Sequence, residues 1–166
     1  MGFRNVVTAW GSTPEERTLG LPCDSVVRDA SAVLHRAVTV DAPPEVVFRW
    51  LCQLRAAPYS YDLIDNRGRR SPQQLTPGLE ELEVGQRFMT IFRLVEFEPG
   101  RSITVVHRGL FGHVGVTYLV TPGTRLLMRI AWEPPRVPLA RSLLTAGDWV
   151  MARRQLLNLK RLAEAT

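Results

Sequence analysis

From Arg87 to Glu133 the chain reads as one extended segment after another, separated only by turn signals, and this limits what the whole can fold into. Phe88 to Phe97 is one long extended run or two shorter strands. Glu98-Pro99-Gly100-Arg101 has Pro and Gly where a type II turn requires them. Ser102–Arg108 follows, then a Gly109-Leu110-Phe111-Gly112 turn, His113–Thr121, Pro122-Gly123 and Arg125–Glu133. In the last of these, Leu126, Met128, Ile130 and Trp132 alternate with Arg125, Leu127, Arg129 and Ala131, so one face of the strand is core. Hairpins in series make an antiparallel meander. Such a sheet needs a cover for its apolar face.

The flanking segments predict what that cover is. Leu34–Asp41 is a β-branched first strand, and Asp41-Ala42-Pro43-Pro44-Glu45 ends it and starts a helix. On the helical wheel Val46, Val47, Trp50, Leu51 and Leu54 share an inner face, with Glu45, Arg49 and Gln53 opposite. Arg55–Gly85 is irregular, with short helical turns expected near Leu63 and from Gly78 to Leu82. A long closing helix is expected from about Gly147 to Ala165, capped by Asp148. Its inner stripe is Trp149, Ala152, Leu156, Leu159 and Ala163; Arg153, Arg154, Lys160 and Arg161 cluster opposite. Val150 and Leu157 interrupt that basic face, and the leader residues Val6, Val7 and Trp10 are expected to cover them. Residues 1–33 read as a mostly irregular leader packed on a single domain, 34–166. Thr13-Pro14-Glu15-Glu16 in it is a helix-start signal.

Three stretches carry a resemblance. Val38-Thr39-Val40-Asp41-Ala42-Pro43-Pro44-Glu45-Val46-Val47-Phe48 resembles the first strand and helix start of the SRPBCC (START-like) superfamily. Tyr59-Ser60-Tyr61-Asp62 with Asp65-Asn66, and Met151–Leu157 with Leu159-Lys160-Arg161, resemble a mostly bacterial, largely uncharacterised branch related to polyketide cyclase/dehydratase-like proteins. Where that branch has a Gly-Trp pair, this chain has Ala57-Pro58. The likeness spans about residues 34–164. It implies an α+β helix-grip fold, a curved antiparallel sheet wrapped around a long C-terminal helix. It also implies an internal cavity that binds or carries a small hydrophobic molecule; the alternative is a cyclase or dehydratase acting on a polyketide-like substrate.

The residues themselves name no reaction. His35, His107 and His113 have no metal-ligand spacing, and neither Cys23 nor Cys52 belongs to a Cys-x-x-Cys pair, so no metal and no cofactor are expected. Gly-x-Ser-x-Gly and phosphate-loop patterns are absent. Candidate ligand contacts are His107, Tyr118, Met128, Trp132 and Trp149 on inward faces, with Tyr59, Tyr61 and Asp62 on the segment that, as the resemblance implies, borders the cavity mouth. His107, Tyr118 and Asp62 are the acid–base candidates for the enzymatic alternative. A dry apolar void of about 300 Å³ would forgo roughly 7 kcal/mol, as much as a typical domain's whole stability. Any cavity is therefore expected to be small, wet or occupied.

The net charge of +5 comes almost wholly from arginines scattered along the chain, with Lys160 the only lysine, so it is read as solvated surface with no specific nucleic-acid partner. No signal peptide or transmembrane run is read, and two isolated cysteines fit a reducing cytoplasm. The expected partner is a small hydrophobic ligand, with the chain a monomer or a homodimer.

Overall fold

The computed structural model describes residues 8–109, 112–133 and 138–166, and of 138–146 the backbone. Among the described residues a single curved sheet contains β1 (Ala9–Trp10), β2 (Ala32–Thr39), β3 (Arg87–Phe88), β4 (Phe92–Glu98), β5 (Ser102–Gly109), β6 (Gly112–Thr121) and β7 (Arg125–Glu133). Their order is β1-β2-β7-β6-β5-β4-β3; β1 joins β2 in parallel, and every other neighbouring pair is antiparallel. The meander β3–β7 follows chain order. The first long strand, β2, then closes beside the last, as connection through a covering helix requires. This is the α+β helix-grip architecture, with a long helix α5 (Pro138–Glu164) against the sheet's inner face.

Register puts the alternating residues to work. Met128 stands between Arg36 of β2 and Tyr118 of β6, and Ile130 between Leu34 and Val116. These residues, with Ile103, Val105, Leu126 and Trp132, face inward onto α5 and onto a shorter helix, α3 (Pro44–Cys52). The α3 stripe is as expected: Val47, Trp50, Leu51 and Leu54 are buried. Gln53, placed by the wheel on the polar face, is instead fully buried. A single 3₁₀ turn, Gln53–Arg55, rotates it inward, where its amide brackets the Thr76 backbone through Thr76 N–H to Oε1 (2.9 Å) and Nε2 to Thr76 O (3.3 Å). Arg55 donates to the Leu79 carbonyl at 2.9 Å. Side chain–backbone bonds thus order the segment that has no regular ladder.

The outer face of the sheet is also covered. Residues 8–31 form β1 and two one-turn helices, α1 (Pro14–Thr18) and α2 (Pro22–Val26), more regular than a leader of this composition suggests. Thr13 caps α1 in a capping box with Glu16. The Arg125 guanidinium pairs with both Glu16 oxygens at 2.8 Å and reaches the Gly11 carbonyl at 2.9 Å. Arg129, 4% exposed, donates to Asp24 at 2.7 Å and to the Arg17 and Leu19 carbonyls. Thr117 accepts from the Cys23 N–H at 3.0 Å, and Cys23, Val27 and Ala131 form a small apolar cluster there. β7 is therefore buried on both faces, whereas alternation marked only one.

Several boundaries differ from expectation. The extended run at 88–97 divides into β3 and β4 because Met89 and Thr90 take positive φ (43° and 69°) and turn the chain back. Residues 77–80 form a turn without a helix, while the turn near Leu63 is α4 (Asp62–Asp65). α5 begins nine residues before Gly147, at a proline favourable in a first helical turn, so Asp148 lies within the helix and does not cap it. Val150 and Leu157 are 42% and 37% exposed. Trp10 instead extends the sheet beside Arg36, its ring under the Arg153 guanidinium at 5.4 Å, and Val6 and Val7 lie outside the described residues.

Gly11 is the point at which the leader leaves the sheet. Its φ is +71°, and a Cβ there would stand 2.1 Å from the Ala37 carbonyl oxygen. Gly11→Ala therefore loses about 2 kcal/mol or more in urea denaturation, combining left-handed strain with a backbone collision. Gly123→Ala, with open space around its Cβ, changes stability by less than about 1 kcal/mol.

Candidate functional site

α5 does not touch the sheet evenly. Its C-terminal half packs tightly: Leu156, Leu159, Leu162 and Ala163 are all buried in the main core. The turns before it present Gly147, Asp148, Met151, Ala152 and Gln155 to a cavity of about 330 Å³ between helix and sheet. The facing strands contribute Leu34, Val114, Val116, Tyr118, Met128, Ile130 and Trp132. The β3–β4 turn adds Met89, Ile91 and Phe92, β5 adds His107, and the segment after α3 adds Pro58, Ser60 and Asp65. Apolar lining with few polar groups is the usual composition of a small-molecule site.

The polar groups have defined partners. Tyr118, fully buried, donates to Gln155 Oε1 at 2.7 Å; Gln155 Nε2 in turn donates to the Pro58 carbonyl at 2.6 Å. One helical turn on, Asn158 donates to the Tyr59 carbonyl at 2.9 Å. α5 thus fastens both the sheet and the segment that bounds the cavity. Burial raises the Tyr118 phenol, so its hydroxyl is a fixed donor at neutral pH. His107 Nδ1 donates to the Ile91 carbonyl at 3.1 Å, its ring lies 5.8 Å from that of Phe92, and Nε2 lies against Gly109.

Asp148 and Arg36 are the unanticipated pair. Arg36 lies on the inner face of β2 with a side chain of 0% exposure, and its Nη2 donates to Asp148 Oδ2 at 3.2 Å. The Asp148 side chain is 31% exposed, and Asp148 is among the residues that line the cavity. Burial pushes its carboxyl up to about 6, against the opposing pull of Arg36. A strand arginine in the sequence carries no mark of direction. Its one available signal is parity: Leu34, Arg36 and Val38 alternate on the inward face.

The sequence-predicted residues separate into two groups. His107, Tyr118, Met128 and Trp132 line the cavity together. Tyr59, Tyr61 and Asp62 line a neighbouring cleft of about 390 Å³ with Arg154, Asn158 and Arg161, and Ser60 is common to both spaces. Tyr59 is a buried packing residue there, edge-on to Trp50 at 6.0 Å, with φ +56°. Asp62 accepts from the N–H and hydroxyl of Ser71, which folds the loop over α4. Trp149, half-buried, lines neither space. Among the described residues no group of three or more His, Cys, Asp or Glu is placed to hold a metal ion, and no helix is long and apolar enough to cross a membrane.

The ion pair predicts an asymmetry. Burial disfavours the Asp148 charge more than Arg36 favours it, so Arg36→Met alone, which leaves a carboxylate buried without its cation, costs about 3 kcal/mol at pH 7, whereas the joint replacement Arg36→Met with Asp148→Leu recovers most of that loss. Because the folded carboxyl titrates near 6, above its ordinary 3.8, its contribution to stability is full below pH 3.8 and is lost as pH rises through 6. Urea denaturation between pH 4 and pH 7 therefore shows the wild type losing ground against the doubly substituted protein as pH rises.

The fold is shared with solved structures of low identity. Protein MLL2253 from Mesorhizobium loti is 18% identical with a TM-score of 0.53, over 81% of this chain and 98% of that one. The di-domain ARO/CYC StfQ from the steffimycin biosynthetic pathway is 16% identical with a TM-score of 0.53; the match covers 90% of this chain and 54% of StfQ. Protein NE0264 from Nitrosomonas europaea is 12% identical with a TM-score of 0.51, over 87% of this chain and 99% of that one. No family model and no curated protein sequence matches the chain. At these identities the likeness is one of fold alone.

Proposed function

We propose that this protein binds or carries a small hydrophobic molecule in the cavity between α5 and the sheet. The observation that carries this reading is the uneven seating of α5: its C-terminal half is packed at core density while the turns before it stand over about 330 Å³ of mostly apolar lining. Held dry and empty, that volume would cost roughly 8 kcal/mol. An apolar molecule that fills it adds stability in proportion to its binding.

N-phenyl-1-naphthylamine, a neutral apolar fluorophore, is expected to bind saturably at one site per chain with enhanced emission. Ala152→Phe, which projects a ring from the buried helix face into the cavity, is expected to weaken that binding about tenfold or more with an unchanged circular dichroism spectrum. Native mass spectrometry of gently purified protein gives an independent readout of a bound apolar species. Non-saturable fluorescence in the wild type sinks the proposal.

A second reading, an enzyme of cyclase or dehydratase type, is favoured by one observation: His107, Tyr118 and Asp148 converge on the same cavity. Their states are unequal. Tyr118 is committed to Gln155, and His107 to the Ile91 carbonyl, which leaves Asp148 as the group best placed to exchange a proton near neutrality. The fold likeness to an ARO/CYC protein is compatible with this reading. On incubation with a poly-β-ketone thioester, a cyclised or dehydrated product that disappears in Asp148→Asn would favour it over carriage alone.

A further inference from the structure

The protein as a whole is basic, yet among the described residues the charged groups on its cavity wall are carboxylates. Asp148 enters from α5 and Asp65 from the end of α4, and both line the cavity. Each carboxylate is only half satisfied. Asp148 accepts one hydrogen bond among the described residues, from Arg36. Asp65 Oδ2 accepts from the Ser60 hydroxyl, while Asp65 Oδ1 is buried with no partner. Arg36 is the cation that would welcome an anionic ligand. It is not part of the cavity wall: it lies behind Asp148 with its charge already opposed.

We infer that the cavity selects apolar molecules whose polar end donates hydrogen bonds, an alcohol, phenol or amine, and rejects those that end in a carboxylate. This rests on the proposed binding function and specifies its ligand class. A donor hydroxyl adds a bond to the Asp148 carboxylate, which accepts only from Arg36 among the described residues; a second anion brought into the same low-dielectric space meets repulsion from both acids. Among the described residues, the other titratable and charged groups facing this interior are Arg36 on β2, His107 on β5 and Tyr118 on β6. The first is compensated. His107 is half-buried and bonded to a carbonyl, and Tyr118 is kept neutral by burial. Burial also raises Asp65, so both acids lie in surroundings that disfavour a further negative charge.

Three naphthalenes of nearly equal bulk test the inference by equilibrium dialysis: 2-naphthol, 2-methoxynaphthalene and 2-naphthoate. At pH 8 the wild type is expected to bind 2-naphthol about tenfold more tightly than the methyl ether, and the naphthoate weakest of all. At pH 5, where Asp148 is largely protonated and becomes a donor, the penalty on naphthoate shrinks. Asp148→Asn narrows the spread at pH 8. Should that variant not fold, Asp65→Asn and the wild-type comparison at the two pH values decide the matter. Naphthoate binding as tightly as 2-naphthol at pH 8 overturns the selectivity while leaving the cavity a binding site. Failure of all three to bind overturns the proposed function and this inference together.

Discussion

A helix laid along a curved sheet can enclose space only if something other than continuous apolar contact fixes how far it stands off. In this protein two buried polar contacts do so. Asp148 meets Arg36 of β2, and Gln155 receives the Tyr118 hydroxyl of β6 while holding the Pro58 carbonyl. They lie about two helical turns apart on the same face of α5, over the stretch where the apolar stripe is interrupted. Beyond them Leu156, Leu159, Leu162 and Ala163 resume ordinary close packing. The cavity exists between these anchors. Its lining, its bounding segment and the raised pKa of Asp148 all follow from this one arrangement.

The opposite face of the sheet shows where two of the arginines go. Arg125 and Arg129 are internal cross-links between β7 and the leader, and each satisfies carbonyls or carboxylates that the short helices α1 and α2 leave available. Guanidinium suits this role because its planar fork binds several oxygens at once. With Arg36 beneath α5, three of the cations in the net charge serve the interior. Each is paired with an acid, Asp148, Glu16 or Asp24, so these internal pairs leave the net charge of +5 to the rest of the molecule.

Legibility followed periodicity. The meander, the Val47–Trp50–Leu54 stripe and the closing helix were readable because period-two and period-3.6 patterns report one solvent boundary each. Where burial is two-sided the pattern carries less: Leu127, Arg129 and Ala131 looked like an outer face because alternation does not reveal a second layer. Gln53 and Asp148 were misplaced for a related reason. A polar residue inside a helix marks a solvent face or a cap only when nothing polar waits for it across the core, and Thr76 and Arg36 lie 23 and 112 positions away in sequence. His107, Tyr118, Met128 and Trp132 come together because strand register aligns them, whereas Tyr59, Tyr61 and Asp62 went to the adjoining cleft when α4 and its Ser71 contacts turned the loop outward.

The sequence by itself determined the class of fold: hairpins in series, a crossover helix and a long amphipathic terminus admit few arrangements that bury every apolar stripe. It also determined which strand faces hold the bulky side chains. Only the tertiary structure decided that a buried acid–arginine pair lies at the cavity wall and that α5 stands off the sheet there. The physical reason is one of range. Secondary-structure patterns record each residue's relation to solvent, a local property. A buried ion pair depends on two residues far apart in the chain meeting in a low-dielectric interior, and only the assembled sheet and helix bring them within 3.2 Å.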